Sequence, residues 1–316
     1  MKKVFLLVAC CMLAFGADLV NKLEGANQYQ SEIWADNRLA NIDRYEDGFG
    51  ALWTFLQGSH YFSYGAAIAI VALILVFSAH YLAVGPKEFD EESGHVLAFS
   101  GAIRLVHLVA AVSWVVLVPT GVVMMWGESF GGGFFVRLMK NMHAVATVLF
   151  VISVIPMFCA WAYRMLPRLY DVKWMLIVGG YLSKTKRAIP AGKFNAGQKA
   201  WFWVATLGGV VMILTGAAMF FLDFKAPFAE GWGLTQIEVL RLSAITHNIL
   251  GIGCAMFLLV HIYMAVFAIK GSIHSMINGH KSEEEVYVLH HYWYQELLNK
   301  GKIAKSKYEN VYPRLA

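Results

Sequence analysis

Five apolar runs without a single Asp, Glu, Lys or Arg constrain this chain more than any other feature. They span residues 61–84, 105–126, 143–163, 201–222 and 243–269. Each is longer than the ~20 residues a helix needs to cross a hydrocarbon core ~30 Å thick. Lipid offers the backbone no hydrogen-bond partner, so runs of this kind must close their hydrogen bonds internally, as helices. Composition agrees: 58% of residues are hydrophobic, 15% are charged and the mean hydropathy is +0.54. The chain therefore reads as an all-α integral membrane protein with five spans. Its isoelectric point of about 8.9 reflects loop cations, and no nucleic-acid motif accompanies them.

Loop charges set an orientation. The linker 164–200 carries Arg164, Arg168, Lys173, Lys184, Lys186, Arg187, Lys193 and Lys199 against one acid, Asp171, which marks it as cytoplasmic. Segment 18–62 holds seven acids and three bases and suits the outer face. The first residues combine Lys2 and Lys3, a short apolar stretch and the small residues Gly16 and Ala17, so 1–17 is expected to be a cleaved signal peptide. A lipoprotein box at Leu7–Cys10 would have too short an apolar core before it. The mature N-terminus then lies outside and the C-terminus inside. The acidic loop around Glu88, Asp90, Glu91 and Glu92 runs against this orientation, but acids weigh little in the rule.

Histidines carry the chemistry. His247 and His261 lie fourteen residues apart in the fifth run, almost four whole turns, so they share a face ~21 Å apart along the axis. Imidazole is costly in lipid unless something binds it. His107, three residues past Arg104, falls at the inner end of the second run, and His143 is expected to open the third at its outer end. Depth then pairs His143 with His247 outside and His107 with His261 inside. A lone histidine at a helix end would read as interfacial; four matched in depth read as two haem sites, each iron taking two imidazoles with no position left for a substrate. No C-x-x-C-H motif is present, so the haems would be non-covalent, b-type. Cys10 and Cys11 fall in the signal, while Cys159 and Cys254 sit on different spans and frame no disulfide. Arg104 is placed either to meet haem propionates or to anchor at the interface. Gly121 and Gly251 would let a porphyrin approach. The other histidines read as surface or structural, with His80, near the inner end of the first run, the exception.

The expected organisation is a signal peptide at 1–17, a periplasmic segment at 18–60, an extra N-terminal transmembrane helix at 61–84, a four-helix di-haem cytochrome b domain at 85–279 and a cytoplasmic tail at 280–316. The tail, polar and rich in Lys and Tyr, is expected to pack on a partner or the membrane surface.

At the inner interface, Lys193-Phe194-Asn195-Ala196-Gly197-Gln198-Lys199 leads into Trp201-Phe202-Trp203. Two amides, a glycine and an aromatic floor suit a quinone headgroup; equally, Asn195 could simply cap the helix while Trp201 and Trp203 join the aromatic belt. This loop, the His247/His261 spacing, the run His261-Ile262-Tyr263-Met264-Ala265 and His290-His291-Tyr292-Trp293-Tyr294 together resemble the cytochrome b (gamma) subunit of membrane-bound respiratory formate dehydrogenase. The resemblance covers about 101–294. It implies that His143 and His247 ligate an outer haem and His107 and His261 an inner one, with Asn195, Gly197 and Gln198 lining a menaquinone site beside His261. It further implies an Fe–S (beta) subunit, a molybdopterin or tungstopterin catalytic (alpha) subunit, a higher oligomer of the complex, a bacterial inner membrane and a place in anaerobic respiration. The signal sequence and added first helix depart from the simplest members. The same scaffold could serve a hydrogenase or another periplasmic oxidoreductase. A non-haem transporter would be expected to carry intramembrane acids or broken helices at mid-membrane, and the runs contain no acids.

Overall fold

A computed structural model describes residues 48–92, 94–221, 229 and 231–313; the expected signal peptide, and the greater part of segment 18–60, lie outside the described residues. A short helix α1 (Gly50–Gly58) precedes α2 (Tyr61–Ala83), strand β1 (His95–Leu97), α3 (Gly101–Met125), α4 (Gly133–Met165) and α5 (Leu169–Leu176). Next come α6 (Ala196–Phe220), α7 (Gln236–Ala268), α8 (His274–Ile277), strand β2 (His280–Ser282), α9 (Glu283–Leu289) and α10 (His291–Asn299). The five expected spans correspond to α2, α3, α4, α6 and α7, each long and apolar enough to cross a membrane.

Helix starts differ from the apolar runs where charge is tolerated. α4 begins ten residues before His143 and carries Arg137 and Lys140 in its opening turns, so His143 lies inside the helix and does not open it. α7 begins seven residues before the fifth run, where the Glu238 carboxylate of its first turn accepts from the Thr235 hydroxyl at 2.7 Å and from the Thr235 backbone N–H. A helix prolonged beyond the hydrocarbon can hold charges there, which an apolarity criterion does not see. Both α6 and α7 contain a π segment, Val204–Gly208 and Tyr263–Ala268, the second starting two residues after His261. Such wide turns gather at functional sites.

The chain divides into two compact units whose boundaries fall inside the five long helices. The first comprises residues up to 70, 111–152 and 207–255. Here Trp114 and Phe150, both buried, meet edge to face at 5.2 Å. A Cβ on Gly209 would come within 2.6 Å of the Phe150 ring, so only glycine lets α6 approach this closely.

The second unit comprises 71–110, 153–206 and 256–316 and holds a continuous core of Phe89, Phe99, Tyr181, Phe202, Tyr287 and Trp293. The tail, expected to sit on a partner or a membrane surface, instead folds into this unit. β2 pairs antiparallel with β1; Ile189 N–H donates to the Val288 carbonyl at 2.7 Å and Tyr292 N–H to that of Ala191 at 3.0 Å. Tyr287 and Tyr294 are fully buried. Ion pairs buried here, Lys199 with Asp171 at 2.7 Å and Lys281 with Glu285, satisfy charges whose desolvation would otherwise destabilise the fold. Of the five spans α2 is the least covered by the described residues: 6% of its apolar window is buried, against 22–28% in the others.

Candidate cofactor sites

Two pairs of imidazoles face one another. In the second unit the rings of His107 on α3 and His261 on α7 have centroids 6.2 Å apart at 56°. In the first, His143 on α4 and His247 on α7 stand 6.3 Å apart, again at 56°. Imidazole–metal bonds run to about 2 Å; two of them plus the distance from each nitrogen to its ring centre fill either gap. Among the described residues no cluster of three or more His, Cys, Asp or Glu could hold a bare metal ion. The donor set is thus two neutral nitrogens per site, which suits a metal bringing its own equatorial ligands.

Surrounding residues also fit a macrocycle. The His143 ring lies against Gly121, where a Cβ would come 3.5 Å from it, and the His247 ring against Gly216, at 3.2 Å. Gly251, expected to serve a porphyrin, faces Met212 instead, its added Cβ meeting that side chain at 3.3 Å. Trp201 stacks on His261 at 5.9 Å and 26°, and Trp161 lies 6.3 Å from His107. Arg104 donates through one terminal nitrogen to the Ile277 carbonyl, while its Nε is buried without a partner among the described residues. A buried donor left over one turn from His107 suits an anionic group such as a propionate.

Two functional candidates were not singled out from the sequence. Thr120 Oγ1 lies 2.9 Å from His143 Nδ1, and Thr215 Oγ1 lies 2.9 Å from His247 Nδ1. Each threonine directly precedes the glycine its histidine rests on. The repeated Thr-Gly pair inside two apolar runs was the available signal.

In the 193–199 loop the capping reading holds: Gln198 N–H donates to Asn195 Oδ1 and Asn195 N–H to Gln198 Oε1, both at 2.9 Å. The reciprocal box uses the acceptor ends of both amides and leaves their NH2 groups as donors. Asn195 is buried and Gly197 exposed; a Cβ on Gly197 would come 3.2 Å from the Trp174 ring. Lys193 sits over Phe99 at 4.7 Å and Trp293 at 5.5 Å. Burial, with the Arg164 cation nearby, brings its ammonium down to about 8. A polar cavity of about 320 Å3 among Gly85, Lys87, Ser183 and Lys186 contains none of the loop residues.

With four apolar helices arranged around two imidazole pairs, comparison with known proteins becomes decisive. The profile of the prokaryotic cytochrome b561 family matches residues 98–279, more than half of the chain. The chain belongs to the prokaryotic cytochrome b561 family. It is thus a multi-pass haem-b membrane protein, and α3, α4, α6 and α7 are its family core. The chain is 28% identical to the cytochrome b556(Fdn) subunit of the nitrate-inducible formate dehydrogenase of Escherichia coli K12, over 54% of this chain and 76% of that one. It is 29% identical to the formate dehydrogenase cytochrome b556 subunit of Haemophilus influenzae, over 54% and 74%. Against the cytochrome b556(fdo) subunit of E. coli K12 the identity is 26%, over 51% and 72%.

Proposed function

We propose that this chain is the membrane subunit of a formate dehydrogenase, carrying electrons from a periplasmic Fe–S and pterin-containing partner to menaquinone or another quinone at the cytoplasmic face. The observation that carries the proposal is the pair of matched imidazole couples, supported by relatives that are formate dehydrogenase cytochrome subunits. When bound, haem b would supply a one-electron carrier. His143 and His247 would hold the outer group, and His107 and His261 the inner one, with Arg104 Nε donating to a propionate of the latter.

At the inner end the NH2 groups of Asn195 and Gln198 would donate to the carbonyls of a quinone, with Gly197 and the Trp174 ring beside them. Reduction to quinol takes two electrons and two protons, the protons coming from the cytoplasm. The apolar runs contain no carboxylate that could relay protons across, so charge is separated by electron movement alone. Each electron moved inward against a potential negative inside costs ~2.3 kcal/mol per 100 mV, which the formate-to-quinone gap must exceed. The cation-rich linker 164–200 supports a cytoplasmic position for this end.

The test is haem content per polypeptide, by pyridine haemochrome and reduced-minus-oxidised spectra. Two b haems are expected in wild type and about one in His261→Ala. A colourless wild-type protein would sink the reading. Subunits that purify with the chain identify the donor, and a hydrogenase among them would replace formate.

A further inference from the structure

The two imidazole pairs have different surroundings, and the difference has a direction. Thr120 Oγ1 stands 2.7 Å from the Val116 carbonyl and 3.1 Å from that of Leu117. Thr215 Oγ1 stands 2.8 Å from the Val211 carbonyl and 3.3 Å from that of Met212. A hydroxyl has one hydrogen. If it were given to the imidazole, the oxygen would face two carbonyl oxygens with nothing between them. The hydrogen therefore goes back to the helix carbonyl four residues earlier, and each hydroxyl oxygen accepts from Nδ1–H of its histidine. His107 and His261, by contrast, have no side-chain hydrogen bond among the described residues and are flanked by Trp161 and Trp201.

We infer that Thr120 and Thr215 are positioning residues: they fix His143 and His247 as Nδ1–H tautomers that present Nε2 to iron, and they hold the haem of this pair at a lower reduction potential than the haem of His107 and His261. The reason is electronic. An imidazole whose distal N–H is engaged by an acceptor is the more basic ligand, and a more basic axial ligand favours the ferric state. With the first pair on the outer side, as in the proposed function on which this inference rests, the reduction potential rises from the outer pair to the inner one, the order that drives electrons inward.

Spectroelectrochemical titration of the full-length chain in detergent, for wild type, Thr120→Val, Thr215→Val and the double variant, tests it. Two one-electron waves are expected in wild type. Valine keeps the shape and removes the acceptor, so the lower wave should move upward while the upper one stays. A tenfold change in its oxidised-to-reduced ratio, 59 mV for one electron, is the expected scale for the double variant. Thr120→Ser and Thr215→Ser, which restore the hydroxyl, should return the wave to its place. If two haems are retained and neither wave moves, or the upper wave moves, the inference is wrong while the two-haem reading stands. Should the double variant load no haem, the single variants decide: each must raise the same lower wave, and failure of either to do so refutes the inference. Wild type without haem overturns both.

Discussion

His290 is a residue whose neighbourhood resists its protonation. It is buried, its Nδ1–H donates to the Gly192 carbonyl at 2.9 Å, and burial, with the Lys281 and Lys193 cations, pushes its pKa down to about 3. The unfolded ring titrates near 6.5. Between these values the unfolded chain binds the extra proton, so stability falls as pH falls through the window, by about 1.4 kcal/mol per pH unit; above it the term is constant. Glu296, held down to about 2 chiefly by its hydrogen bond from Arg164, adds acid sensitivity only from the ordinary carboxylate range downward, below the pH 5 to 6.5 interval in which His290 acts. The protection of the amides across 283–299, with the intrinsic base-catalysed rate divided out, should fall as pH falls over that interval in wild type and stay level in His290→Gln; equal profiles would refute the assignment. Nothing in the sequence announces this burial, because its cause is a carbonyl 98 residues away. The pairing of the four span histidines was legible for the opposite reason: two of them share one helix, where spacing alone dictates direction.

α2 shows what an element can and cannot disclose. Its existence was plain from composition, since lipid leaves an apolar run no alternative to helix. Its attachment was not. His80 Nε2–H donates to the Tyr181 carbonyl at 2.9 Å, and its Nδ1 accepts from the Tyr263 hydroxyl at 2.5 Å; Phe77 stacks on Tyr263 at 4.1 Å and 6°. One polar turn thus fastens a helix that is otherwise thinly covered. His80→Phe would strand a buried hydroxyl and a carbonyl, costing about 1–3 kcal/mol. A lowered thermal midpoint with haem content unchanged is the expected outcome, and an unmoved midpoint would show the contact to be idle. The same limit applies to helix ends: α4 and α7 run past their apolar cores into charged turns, and a contact such as that of Thr235 with Glu238 becomes legible only once the helix is known to reach it.

At the scale of the whole molecule, the tail belongs to the second unit's core and not to its surface. Ending the chain after Gly279 would remove Tyr287, Trp293 and Tyr294 from that core, an apolar loss of several kcal/mol. The truncated protein should lose the haem of His107 and His261 in preference to the other, seen as the lost upper wave in a redox titration. Retention of both waves would mean that the tail is dispensable. The reach of the family profile, 98–279, gives the pairing of β1 with β2 a further meaning. Its register, His95 with Ser282 and Leu97 with His280, brings the residues just before and just after the family core side by side. The family-matched segment therefore starts and finishes at one two-stranded ribbon, a seam at which it could be recut and rejoined as a circular permutant.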